Sequence, residues 1–154
     1  MFQIHALDPA PFAHLFALSD TALAAQGARR VVADEAPGFP CRVSLMDASV
    51  GDELVLVGYE HLPGNTPYRA SHAIYVRKGV AQAELPAGAV PPVLSTRLLS
   101  IRGFDRAGMM RTADVVDGTD LAAALPRMFS DPEIAVVHIH NAKQGCFAAS
   151  ATRA

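Results

Sequence analysis

Residues 58–77, read GYEHLPGNTPYRASHAIYVR, leave the backbone few choices. Apolar, strand-like runs at residues 54–57 and 73–76 flank a connection that holds Pro63, Gly64-Asn65 and Pro67, so the chain has to reverse between two strands. The reversal also carries most of the polar chemistry in this part of the chain. Glu60, His61, Tyr68, Arg69, Ser71 and His72 bring an acid, two imidazoles, a fixed cation and two hydroxyls into one hairpin-like unit. In such a set Arg69 would grip a carboxylate or phosphate bidentately, and His61 or His72 would move a proton. Side-chain alternation places His61 with Val55, Val57 and Tyr59, Glu60 with Leu56 and Gly58, and His72 with Ile74 and Val76. The plainer alternative is that Arg69 pairs with Glu60 or with loop carbonyls and the histidines hold the loop closed.

Around this unit the pattern predicts an α+β domain. Residues 2–7 alternate as a short strand, and Asp8-Pro9 then caps a first helix that aligns Phe12, Leu15 and Phe16 on one face. Ser19 caps a second short helix closed by Gly27, and both helices are expected to cover one side of a sheet. Residues 30–33 read as a strand and 34–40 as a proline-rich loop. Residues 42–46 and 53–61 read as an antiparallel pair turning at 47–52. Residues 78–92 have no periodicity and form a long surface loop. Strands are expected at 96–104 and 109–116, and a helix starts at Asp117-Gly118-Thr119 with Pro126 kinking or splitting it. Residues 134–141 and 146–151 close the chain as a hairpin over Ala142-Lys143-Gln144-Gly145, where the glycine suits a positive φ.

The second chemical pattern is His138-Ile139-His140. A period of two puts both imidazoles on one face of a strand, where they could share a metal. A metal site needs a third protein ligand, and no Asp or Glu lies beyond Glu133. The pair is therefore read as pocket lining without metal, or as half-exposed residues on the polar face of a strand. Cys41 and Cys146 are read as reduced, packed thiols, and Met109-Met110 as core filler. Phosphate-loop, dinucleotide, nucleophile-elbow and His-Glu-x-x-His motifs are absent, and no cofactor is expected.

Composition narrows the function classes. With 154 residues, 51% of them apolar and 18% charged, the chain fits one domain able to bury a core. A formal charge of −2 without charge runs gives no footprint for nucleic acid or an acidic membrane. No basic leader precedes an apolar stretch and no segment reaches the roughly 20 apolar residues that span a bilayer, which points to the cytoplasm.

Residues 39–45 (FPCRVSL), 59–61 (YEH), 67–77 (PYRASHAIYVR) and 137–142 (VHIHNA), with Gly145-Cys146, resemble domain-of-unknown-function family 1203 over nearly the whole chain, from the strand at Phe2 to the terminal hairpin. That resemblance implies a bacterial single-domain protein and no particular substrate.

Two functions follow from the residues, and metal binding through the His138-x-His140 pair stays open as a third possibility. One is a small-molecule site, enzymatic or not, where the loop at 62–71 approaches the terminal hairpin, lined by Arg69, His61, His72, His138 and His140. The other is a non-enzymatic interaction protein, a homodimer through an uncovered strand edge or apolar patch.

Overall fold

The computed structural model describes residues 1–154. In chain order the elements are β1 (Phe2–His5), α1 (Ala10–Ala13), α2 (Asp20–Ala25), β2 (Arg29–Val32), β3 (Glu53–Leu62), β4 (Ala70–Arg77), α3 (Pro92–Ser95), β5 (Leu98–Phe104), β6 (Met110–Asp117), α4 (Leu121–Met128), β7 (Val136–Asn141) and β8 (Phe147–Arg153). The class is α+β, with two short helices near the start, a later helix and a closing hairpin. The strands divide between two antiparallel sheets, one ordered β1-β8-β7-β5-β6 and the other β2-β3-β4.

Local chemistry explains the start of the chain. Asp8 accepts the Ala10 N–H at 2.8 Å, and Ser19 accepts the Ala22 N–H at 3.1 Å, each satisfying a donor that a helix start leaves free. Gly27 adopts φ +70° after α2 and turns the chain into β2. Phe12 of α1, Leu15 of the 3-10 turn that follows it (His14–Ala17) and Leu23 of α2 are buried on Val55, Ile74 and Val76, so this segment does cover one sheet. The larger core lies elsewhere. Leu99, Ile101, Val137, Ile139, Ala149 and Ala151 face Leu121, Ala124 and Leu125 of α4, which covers the outer face of the five-stranded sheet.

Residues 42–46 are not a strand. Cys41 and Val43 are buried in the core under α1 and α2, whereas Leu45 is buried in the core under α4. To reach both, the segment curls, and Leu45 takes φ +49°. The antiparallel partners of β3 are instead β2 and β4. The proline in α4 neither splits nor ends it, since the helix runs to Met128 and the Phe129 N–H still reaches the Leu125 carbonyl at 3.0 Å. Residues 78–92 form the long loop expected of them. They lie along β1, held where Gly88 N–H reaches the Phe2 carbonyl and Gln3 Nε2 donates to the Leu85 carbonyl, both at 2.8 Å.

The inner faces of the two sheets meet at aromatic side chains. On β3 and β4 register places Val55 opposite Val76, Val57 opposite Ile74 and Tyr59 opposite His72, so all six share one face and His61 continues it. On the five-stranded sheet Arg102 pairs with His138, Ser100 with His140 and His140 with Phe147. Tyr59 and Phe147 then touch across the gap, with ring centroids 5.8 Å apart.

Candidate functional site

Two sheets packed this way bring four imidazoles together. His138 and His140 come from β7, His61 from the end of β3 and His72 from β4. The His61 ring stacks on His72 at 4.9 Å between centroids, meets His138 at 5.1 Å and His140 at 4.8 Å, and lies flat against Phe147 at 5.3 Å. His61, His138 and His140 are buried, and each offers a ring nitrogen within 4.8 Å of the other two. His72 is partly exposed at the rim.

Hydrogen bonds decide which nitrogens remain free. His140 Nδ1 lies 3.0 Å from the Gly145 carbonyl, and a carbonyl can only accept, so Nδ1 carries the proton and Nε2 is a bare lone pair. That Nε2 is buried without a partner, as are His61 Nε2 and His72 Nδ1. His61 Nδ1 and His138 Nδ1 lie 3.0 Å apart, where one donates to the other.

Electrostatics keep the cluster neutral. Burial pushes His61 down to about 4, and the neighbouring His138, His72 and Arg102 add to the shift. Burial and then Arg102 push His138 down to about 4. Burial takes His140 to about 3, against the opposing pull of its bond to Gly145. His72 is lowered as well, by burial and then Arg102. At neutral pH these rings are lone-pair donors rather than cations.

Arg102 is the positive charge that reaches all four rings. Its Nε donates to Ser100 Oγ at 3.2 Å, and no carboxylate lies within ion-pair distance of it. In the sequence it is a single cation inside an apolar strand, and no local motif marks it. Only the register of β5 against β7 sets it beside His138.

The other expected site residues lie elsewhere. Arg69 pairs with Glu60 in an exposed ion pair, which is the plainer of the two readings given above. Ser71 stands opposite Glu60 in register and is exposed, so this pair occupies the face turned away from the imidazoles. Tyr68 is 39% exposed, its ring edge-on to Phe104 at 6.2 Å, and Phe104 in turn contacts His138 at 5.2 Å.

A cleft of about 390 Å³ adjoins the cluster and shares His72 with it, its other walls including Arg42, Tyr75, Asn141, Gln144 and Cys146. Arg42 is 2% exposed. Its guanidinium donates to the Phe147 carbonyl at 2.7 Å, to the Pro40 carbonyl and to Cys146 Sγ at 3.0 Å. Burial lowers its pKa, and Cys146 partly opposes that shift. The fork ties the start of β8 to the segment after the proline-rich loop.

Residues 38–153 match a family model described as "Protein of unknown function (DUF1203)". The match begins after β1, α1, α2 and β2, later than the near-complete resemblance expected. No curated protein and no solved structure matches the chain. No helix is long and apolar enough to cross a membrane.

Proposed function

We propose that this chain, which belongs to the DUF1203 family, binds a small carboxylate-bearing molecule between its two sheets, with Arg102 as the anion-binding residue and the four imidazoles as its polar lining. The observation that carries this reading is a guanidinium without a carboxylate partner beside four neutral imidazoles, three of them with a buried ring nitrogen that no protein group satisfies. A carboxylate would give the guanidinium a bidentate partner. The enzymatic form of the proposal assigns proton transfer to His61 and His72, since a neutral imidazole beside a held carboxylate is a general base. His138 and His140 orient the ligand.

A thermal-shift screen of mono- and dicarboxylates tests it. At least one acid should stabilise the chain, and Arg102→Ala should weaken its binding by about 1.5–3 kcal/mol, the range for a charge-assisted bond. Arg69→Ala should leave it unchanged. Equal loss from both arginines, or no stabilising acid, contradicts the assignment.

A second reading rests on β6. This eight-residue strand pairs only with β5 and is exposed almost throughout, with Val115 58% exposed. An open edge of this kind suits antiparallel pairing with a second copy. Light scattering that returned the mass of one chain at tens of micromolar would remove it.

A further inference from the structure

We infer that His61, His138 and His140 form a binding site for one divalent transition metal ion, with the side of the ion not held by protein available to an anionic ligand. Occupation by the metal stands on the geometry of the three rings, whereas the anionic co-ligand rests on the reading proposed above.

Three independent observations converge. The first is placement, because three imidazoles from two sheets offer nitrogens within 4.8 Å of one another in a buried setting. A tetrahedral ion with bonds of about 2.0–2.1 Å holds its ligand nitrogens about 3.4 Å apart. His61 and His138 already have nitrogens 3.0 Å apart. The widest pair, within 4.8 Å, has to close by at most about 1.4 Å to reach that spacing.

The second is orientation. A metal-binding histidine commonly donates its other ring N–H to a carbonyl, which fixes the tautomer and aims the lone pair. His140 does so, its Nδ1 held by the Gly145 carbonyl and its Nε2 left buried with no partner. Gly145 stands at φ +76° in the β7–β8 turn, so a conformation that favours glycine places the carbonyl. A buried nitrogen without a partner, as His140 Nε2 is, is rare in folded proteins, where buried polar groups nearly always have one. His61 would bind through Nδ1, the nitrogen beside His138 Nδ1, with loss of the proton that the two rings share.

The third is the donor set. All three ligands are neutral imidazoles and none is a carboxylate, which disfavours calcium and magnesium and suits zinc, copper, nickel or iron(II). A dication held by neutral ligands keeps its full charge, and Arg102 adds another nearby. Such a centre favours an anion in its open position. Three protein ligands with one position free is the arrangement of catalytic rather than structural zinc. The third ligand that the His138-x-His140 strand lacks is thus supplied from the facing sheet.

The test uses the full chain, stripped with chelator and exchanged into chelator-free buffer. Titration with Co²⁺ should give visible d–d bands of a four- or five-coordinate ion that saturate at one equivalent and are displaced by Zn²⁺. His61→Gln, which removes the ring that meets the other three, should lose at least a hundredfold in Co²⁺ affinity with unchanged far-UV circular dichroism. His138→Gln serves as the second ligand variant should His61→Gln fail to fold. The double variant His5→Ala/His14→Ala should keep the bands. Absence of saturable bands, or bands that survive in the folded His61→Gln and His138→Gln proteins, overturns the metal site. The two proposals fail separately. Carboxylate binding by the stripped chain without Co²⁺ binding removes the metal and keeps the earlier reading. Co²⁺ binding with no carboxylate bound to either form removes the earlier reading and the anionic co-ligand, and keeps the metal.

Discussion

Arg42 and Arg69 show how far a residue's role departs from its chemistry alone. Both are single arginines beside sequence features that drew attention, yet Arg69 lies in solvent against Glu60 and Arg42 is buried against two carbonyls and a thiol. A solvent-exposed pair contributes little, because water screens it and two long side chains must be ordered to make it. Arg69→Ala should therefore leave the urea midpoint within experimental error. Arg42→Met leaves the Phe147 and Pro40 carbonyls without their donor, and should cost about 2–4 kcal/mol on the scale of unsatisfied buried groups, read as a lower urea midpoint. Equal midpoints for the parent and Arg42→Met would show that the buried fork adds nothing measurable to stability.

At the scale of elements, two glycines separate tolerance from constraint. A Cβ on Gly118, where β6 turns into α4, would sit 2.0 Å from the Leu94 carbonyl oxygen and 2.8 Å from that of Arg97. Backbone cannot swing aside as a side chain can, so Gly118→Ala should cost more than about 3 kcal/mol or prevent folding, among the larger effects of a single substitution. Gly145 has open space around it but φ +76°. Gly145→Ala should cost about 1–2 kcal/mol for the left-handed backbone and weaken Co²⁺ binding by shifting the carbonyl that aims His140. Elements also mark where the sequence was readable. The closing hairpin, the caps at Asp8 and Ser19 and the shared face of His138 and His140 follow from local rules, because spacing and turn chemistry alone set them. Residues 42–46 defeat those rules, since their alternating apolar side chains serve two cores instead of the two faces of a strand.

For the whole molecule, the packing of one sheet on the other made the site, and no local pattern encodes it. Alternation placed His61 and His72 on one face and His138 and His140 on another, but only the tertiary arrangement brings those faces together and puts Arg102, rather than Arg69, beside them. The same burial has a consequence for stability. The folded chain holds His61, His138 and His140 below the ordinary imidazole value of 6.5, at about 4, 4 and 3. The unfolded chain binds more protons than the folded one once the pH falls below about 6.5, so stability declines as pH drops through that value. The loss continues until the folded rings themselves protonate near pH 4 to 3. Urea midpoints of stripped protein should accordingly fall between pH 7 and pH 4, and His138→Gln should flatten the fall. The most direct measurement is of the rings themselves, by long-range nitrogen–proton correlation NMR of the ¹⁵N-histidine-labelled, metal-stripped chain between pH 7 and pH 5. Neutral His61, His138 and His140 throughout, with His140 protonated on Nδ1, is the predicted result; protonation of these three rings between pH 6 and 7 would contradict the buried cluster on which the site depends.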